Sequence, residues 1–268
     1  MLGAELRAAR KAAGISTSTL GSRLGRSHTH ISRWENGRLT PREADVGAVL
    51  GILGITGAER ERLLGLAREA GDPNWVAPGV DKQLTVLMEY ERTARRIVDV
   101  EPLLIPGLLQ TAEYARAIML GSGTSRGEAD KRVTYRLGRR DILTRKRPVE
   151  LHAYIGEQAL RYAPCEPEVM LDQLRHLRQW AGHDHVVVRA IPLGQAYSPA
   201  LEGAFVLLEF DRDRPVVHLE HYRSSTTITD TRDVGEFRKA TDMLDRTAMG
   251  EDATSKLITE IINEVEGR

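Results

Sequence analysis

The chain has 268 residues, of which 41% are hydrophobic, and it carries 38 basic and 38 acidic residues. This length is sufficient for two domains. The single cysteine, Cys165, excludes a disulfide within the chain and any zinc site built from several cysteines, which fits a reducing compartment. No apolar run is long enough to span a membrane and no signal peptide is evident, so we expect a cytoplasmic protein with no membrane partner.

The charges are unevenly distributed along this neutral chain. Residues 1–71 hold eleven Lys and Arg against seven Asp and Glu, a net charge of +4, so the remaining residues carry −4. A basic first part joined to an acidic second part is the distribution expected when a DNA-reading module is fused to a domain with a different task.

Five helices are predicted in the first 71 residues. Apolar residues recur at helical spacing, and Ser16 and Ser27 stand where they can cap a second and a third short helix. Thr40 followed by Pro41 predicts the start of a fourth helix, and a fifth follows it. Residues 72–80 are predicted to be a linker.

The second and third predicted helices are short and are separated by about one turn of chain. Gly21 lies where they would cross, and a residue without a side chain there allows a close approach. This arrangement is the helix-turn-helix, in which the second helix enters the major groove of DNA. The alternative is a plain helical bundle in which Ser27 is only a cap.

The run from Ile31 to Arg38, with Ile15-Ser16, Leu20-Gly21 and Pro41 around it, is the most specific pattern in the chain. It resembles the Xre (Cro/CI repressor) family over roughly residues 3–55. The resemblance implies an all-α, five-helix fold like that of lambda repressor.

The same resemblance implies roles for individual residues. The side chains that would face base edges are Ser27, His28, Thr29 and Arg33. Those that would bind phosphates are Thr17, Asn36, Arg38 and Arg42, although Thr17 is shorter than the amide side chain often found at its position. A buried ion pair is implied between Arg10 and Glu35.

The period of the apolar residues changes in the second part of the chain, residues 81–268. Helices are predicted over 82–98, from Thr111, from Ser125 to about Leu143, over 167–181, after a cap at Asp233, and at the end of the chain. Alternating apolar residues predict strands over 151–155, 186–191, 204–210 and 216–220. These elements predict an α+β domain with a mainly antiparallel sheet.

Between its first two predicted helices, this second domain has an unusual aliphatic segment with two prolines, Glu101 to Thr111. Its aliphatic side chains must be buried or form a binding surface. Together with Arg139-Arg140-Asp141, the segment resembles a C-terminal domain of unclear function that recurs in actinobacterial, WhiJ-like regulators. This resemblance implies a regulator whose partner could be a small companion protein, as in toxin–antitoxin pairs.

The histidines of the second part of the chain do not form a simple metal-binding pattern. His218 and Glu220 would share one face of a strand while His221 points away, and His183 and His185 fall in a polar turn, so we expect no metal and no cofactor. No nucleophile elbow, phosphate-binding loop or dinucleotide fingerprint occurs. We therefore expect no catalytic residues and no enzymatic activity.

Three functions remain open at this point. The first is a transcriptional regulator, a homodimer held by residues beyond about 80 that reads a pseudo-palindromic site on double-stranded DNA. The second is an antitoxin-like module that sequesters a small companion protein and binds DNA only for autoregulation. The third is a repressor that senses a small molecule in its α+β domain.

Overall fold

A computed structural model describes residues 2–36, 39–71, 74–78, 80–162, 164–194, 197–211, 213–221 and 224–267. The chain divides into two compact units, residues 1–75 and 76–268. The first is helical and the second is an α+β unit. The boundary between them falls within the segment 72–80 predicted to be a linker, where the structure has a short strand.

The first unit contains five helices. They are α1 (Leu2–Ala12), α2 (Thr17–Leu24), α3 (His28–Glu35), α4 (Glu43–Ile52) and α5 (Gly57–Gly71). Ser16 and Ser27 cap α2 and α3 as predicted, each accepting a hydrogen bond from a backbone N–H of the first turn. The start predicted for α4 at Thr40 is wrong: Arg42 is still extended, with φ −69° and ψ 155°, and no side chain caps the helix.

One apolar core joins the five helices. It is built mainly from aliphatic side chains together with Trp34, and Val46, Leu50 and Leu63 are completely buried. Two glycines permit the tight packing around α3. A Cβ on Gly21 would lie 2.7 Å from the carbonyl oxygen of Arg26, and one on Gly3 would lie 2.4 Å from that of Trp34. Neither position can hold a larger residue without a backbone shift.

Seven strands and eight further α-helices follow α5 among the residues that the structure describes, and all but the first two residues of β1 belong to the second unit. The strands are β1 (Asn74–Pro78), β2 (Arg96–Glu101), β3 (Glu150–Gly156), β4 (Val186–Ile191), β5 (Phe205–Glu209), β6 (Val216–Glu220) and β7 (Ser224–Ile228). The helices are α6 (Val80–Thr93), α7 (Ala112–Gly121), α8 (Arg126–Gly138), α9 (Asp141–Thr144), α10 (Glu157–Arg161), α11 (Pro167–Trp180), α12 (Thr231–Thr247) and α13 (Glu251–Glu266).

The strands form one mixed sheet in the order β1-β7-β6-β5-β2-β3-β4. The pairs β2–β5, β5–β6 and β6–β7 are antiparallel, whereas β2–β3 and β3–β4 are parallel. The predicted α+β class with a mainly antiparallel sheet is confirmed. Each face of the sheet has its own core: α11 and α13 contribute to the core on one face, and α12 to the core on the other.

Three strands of this sheet, β1, β2 and β7, were not expected, and β1 lies in the segment predicted to be a linker. Residues 96–98 were predicted to continue a helix, but α6 ends at Thr93 and β2 begins at Arg96. The apolar run Ile97-Val98 is compatible with a helix or a strand. It forms a strand because its backbone pairs with β3 on one side and β5 on the other. β7 was missed because its sequence, Ser-Ser-Thr-Thr-Ile, lacks an apolar alternation. The cap predicted at Asp233 is also displaced, since Asp230 caps α12.

The aliphatic segment 101–111 is largely buried rather than offered as a surface. Ile105 and Leu109 have no exposed area, and only Leu103 is well exposed, at 66%. Side chains supply the hydrogen bonds that this irregular backbone needs: Gln173, itself fully buried, accepts from the Thr111 N–H and donates to the Leu109 carbonyl. Of the two alternatives left open for these aliphatic side chains, burial is therefore observed, and a continuous binding surface over Leu103–Leu109 is not.

Candidate nucleic-acid interface

The first unit contains a helix-turn-helix. Only residues 25–27 separate α2 from α3, and Gly25 adopts the left-handed conformation, with φ 65°, that ends α2. Gly21 then lets α2 lie against the turn, with its Cα hydrogens facing the Arg26 carbonyl. The backbone reverses within one turn, so α3 is held across α2 with its N-terminal end free to contact a ligand.

The surface of α3 is divided between core and solvent. Ile31, Trp34 and Glu35 are buried, whereas Thr29 and Arg33, which are one helical turn apart, are exposed on the other side. His28 is also exposed at the first position of the helix. Two long or polar side chains on one exposed helix face provide the donors and acceptors needed to read base edges in a major groove.

Ser27 differs from the other predicted base-reading residues. Its side-chain oxygen accepts a hydrogen bond from the His30 N–H at 3.2 Å, which stabilises the start of α3. The Ser27 side chain is nevertheless exposed, and its hydroxyl hydrogen is available to donate. The structural and the DNA-contacting roles of this residue are therefore compatible.

The predicted phosphate-binding residues flank the two helices. Thr17 is half-buried at the first position of α2, where helix N–H groups face outward and favour an anion. Asn36 is exposed after α3, with its amide donating to Ser32 Oγ at 3.2 Å, and Arg42 is exposed at the start of α4. Arg38 lies outside the described residues.

A buried ion pair fixes α3 against α1. Arg10 Nε and Nη2 donate to the two carboxylate oxygens of Glu35 at 2.5 and 2.8 Å. The third donor, Nη1, binds the Ile15 carbonyl at 2.6 Å, just before α2. The hydrogen bond to Glu35 raises the pKa of Arg10 further above its ordinary value, so the guanidinium keeps its charge. One side chain thus connects α1, the loop before α2 and the end of α3.

Sequence reasoning did not identify two features of this region. Gly3 allows α1 to pack on the Trp34 carbonyl, and its only sequence signal is a glycine inside a helix. Arg26, which lies in the turn between α2 and α3, points to α4 and pairs with Asp45 at 3.3 Å. That ion pair occupies Arg26, whereas Arg33 has no ion pair with any residue that the structure describes.

The metal site considered from the sequence is not found among the described residues. No three His, Cys, Asp or Glu side chains converge there in a way that could hold a metal ion. His218 is fully buried, and His185 contacts the Leu143 carbonyl at 2.9 Å. No helix in the described part of the chain is long and apolar enough to cross a membrane.

The class of the first unit follows from this geometry: it is a helix-turn-helix domain, and residues 1–63 match a family described as "Helix-turn-helix domain". Residues 84–260 match a second family, described as "Domain of unknown function (DUF5753)". Because this second match covers more than half of the sequence, the chain belongs to the DUF5753 family.

No curated protein shows significant similarity to the chain. Among solved structures, one similar chain is described by the words "Structure of TrmBL2, an archaeal chromatin protein, shows a novel mode of DNA binding". The identity is 16% and the TM-score 0.34, and the similarity covers 72% of this chain and 60% of that one. This chain therefore spans 60% of the other's length, and the low TM-score means that the likeness carries no argument about fold or function.

Proposed function

We propose that this protein is a sequence-specific DNA-binding transcriptional regulator. The observation that carries the proposal is the exposed face of α3 in a helix-turn-helix, where Thr29 and Arg33 lie together and His28 marks the N-terminal end. Arg33 can donate two parallel hydrogen bonds to the O6 and N7 atoms of guanine, the commonest specific contact in a major groove.

The charge of the first part of the chain supports DNA as the partner. Residues 1–71 carry a net +4. Thr17, Asn36 and Arg42 stand at helix ends on either side of α3, and Arg38 belongs to the same proposed set. Contacts of this kind fix the orientation of a protein on the duplex, while the base contacts of α3 supply the sequence preference.

We further propose that the regulator belongs to the Xre type and acts as a two-fold homodimer on a pseudo-palindromic operator. One helix-turn-helix reads only about half a turn of DNA, so two units with half-sites roughly 34 Å apart would supply the affinity. The dimer would use residues beyond about 80. Because most of Leu103–Leu109 is buried, exposed apolar side chains elsewhere, including Leu201 at 75% exposure, are the better candidates for contact.

A non-enzymatic role for the second unit fits this proposal. That unit would carry the dimer contacts and receive a signal. Binding of a small molecule is a second candidate function for it, because several buried polar atoms of the α+β unit have no hydrogen-bond partner among the described residues. Binding of a small companion protein is a third hypothesis.

The proposal is tested by selecting binding sites from a random double-stranded DNA library with the full chain. We expect enrichment of one motif with two related halves. The selected sequences should outcompete unselected DNA for the protein at physiological salt. Binding that shows no sequence preference at any salt concentration would overturn the proposal, because phosphate contacts alone bind all sequences alike.

A further inference from the structure

A row of polar side chains crosses one face of the sheet in the α+β unit. Pairing places Asp99 of β2 opposite Val206 of β5, Val206 opposite His218 of β6, and His218 opposite Thr227 of β7. Residues that pair in this way point to the same side of a sheet. Asp99, His218 and Thr227 therefore face the same space, with only the short Val206 between the first two.

A second row runs beside the first at the ends of the strands. Glu101 stands two residues beyond Asp99, and Glu220 two beyond His218, so both share the face of the first row. Ser225 pairs with Glu220. These two rows form a polar array: Asp99, His218 and Thr227 in the first row, and Glu101, Glu220 and Ser225 in the second. Glu101 is half-buried and Glu220 is exposed, so the second row reaches solvent at the strand ends.

Three atoms of this array are buried without a hydrogen-bond partner among the residues that the structure describes. They are Asp99 Oδ1, His218 Nε2 and Ser225 Oγ. Asp99 is 5% exposed, Ser225 1%, and His218 is completely buried. A buried polar atom without a partner is costly, and three on one face mark a place where a ligand would supply the missing hydrogen bonds.

All three atoms can accept a hydrogen bond. Burial lowers the pKa of His218 and keeps its ring neutral. In the tautomer whose Nδ1–H donates to Thr227 Oγ1, at 3.2 Å, Nε2 carries a free lone pair. The carboxylate oxygen of Asp99 is an acceptor, and the Ser225 hydroxyl accepts as well as donates.

The acidic groups in and around the array outnumber the basic ones. Arg139 and Glu91 form a buried bidentate pair, with Nε and Nη2 donating at 2.8 and 2.6 Å. Arg136 is the second guanidinium that acts on the array, and it donates to the Gln110 side chain at 2.8 Å. Four carboxyl groups, those of Glu91, Asp99, Glu101 and Glu220, thus act on one another beside two guanidinium groups and a neutral histidine. Burial and the neighbouring acids raise the pKa of Asp99 to about 7 and that of Glu101 well above its ordinary value, which shows that positive charge is short here.

We propose that this array binds a small organic cation with several N–H donors, an amine or a guanidinium compound, which would enter between Glu101 and Glu220. Such a ligand would supply positive charge to the acidic groups and N–H donors to the unpaired acceptors, Asp99 Oδ1, His218 Nε2 and Ser225 Oγ. A metal ion suits the array less well, since no three His, Cys, Asp or Glu side chains of the described residues converge.

The inference goes beyond the proposed DNA binding, and its test uses no DNA. Thermal unfolding of the full chain is followed at pH 8 with agmatine, which carries a guanidinium and an ammonium group, and with tetramethylammonium at equal ionic strength. We expect the melting temperature to rise with agmatine and to saturate, since a ligand that binds only the folded state stabilises it. Tetramethylammonium, a cation without N–H donors, should produce no such rise.

Two variants locate the site. Asp99→Asn and Glu101→Gln keep the size of each side chain, so the proteins should fold, and each should lose most of the agmatine effect. The matched control Asp130→Asn changes an exposed carboxylate that pairs with Arg116 and should keep it. No saturable rise in the wild type, an equal rise with tetramethylammonium, or an undiminished agmatine effect in both site variants would overturn the proposal. If one of the two site variants does not unfold cooperatively, the agmatine effect is compared between the wild type and the other site variant.

Discussion

Arg10 of α1 and Glu35 of α3 form a buried, bidentate ion pair, and the same guanidinium binds the carbonyl of Ile15 before α2. Their side chains are 10% and 6% exposed. Buried charges of this kind need each other, because neither can recover its hydration when the other is removed. The pair therefore determines how α3 is held against α1 and, through Ile15, against the start of α2.

Glu35→Ala should destabilise the helical unit by about 3–5 kcal/mol, since it leaves the Arg10 guanidinium buried without its counter-charge. The measurement is urea unfolding of the full chain. Glu59→Ala is the control: it removes an exposed partner of Arg62, a pair of the class that contributes only about 0–1 kcal/mol. Equal unfolding midpoints for Glu35→Ala and the wild type would show that the pair does not stabilise the unit.

The close approach at Gly21 gives a second prediction. Gly21→Ala should cost about 1–3 kcal/mol, because its Cβ would meet backbone atoms, which cannot rotate away. Gly65→Ala in α5 should act in the opposite direction, since its Cβ meets nothing within 4 Å and alanine favours a helix by about 0.5–1 kcal/mol. Thermal melting distinguishes them, and a Gly21→Ala protein as stable as the wild type would mean that α2 is not packed so closely.

The buried carboxyl of Asp99 predicts a pH dependence of stability. Burial, with Glu91 and Glu220 nearby, raises the pKa of Asp99 from 3.8 to about 7, against the opposing effect of Arg139 and Arg136. Between pH 4 and 7 the unfolded chain loses this proton while the folded protein retains it. The contribution of Asp99 to stability is therefore fully present at low pH and is lost as the pH rises towards 7.

Asp99→Asn removes this titration, so the variant should gain stability relative to the wild type as the pH is raised from 5 to 8. Urea midpoints of the two proteins across this range provide the measurement. A constant difference between them at every pH would mean that Asp99 titrates at the same pH in the folded and the unfolded chain.

The proposed dimer predicts that the full chain has twice the mass of one chain in light scattering at micromolar concentration. Leu201→Glu places a charge on a large apolar side chain that is 75% exposed and should shift the protein towards the monomer. A monomer for the unmodified chain, both with and without its DNA site, would leave the second unit as a sensor or partner-binding domain alone.

The helical unit was largely predictable from sequence because its signals are local. Ser16, Gly25 and Ser27 each set a helix boundary through their own side chain or backbone, and these positions are within a few residues of the helices they cap. The pairing of Arg10 with Glu35 was a different matter: it came from a family resemblance, since nothing local connects two residues 25 positions apart.

The α+β unit was less predictable because distant pairing decides its structure. The short apolar run of β2 is compatible with a helix or a strand. It is a strand because it pairs with β3 and β5, which are separated from it in the sequence by helices and loops. The polar array could not have been found from sequence either. Asp99 and His218 become neighbours in one row only through the register of β5.

The assignment of α3 as the reading helix is tested most directly by comparing Arg33→Ala with the wild type on a selected DNA site and on a shuffled sequence. Losing one bidentate base contact, worth about 1–3 kcal/mol, should reduce the preference for the selected site roughly 5- to 160-fold. Weak, salt-sensitive binding to shuffled DNA should remain. Arg175→Ala, an exposed arginine of α11, should keep the full preference. An Arg33→Ala protein that also retained the full preference would contradict the account.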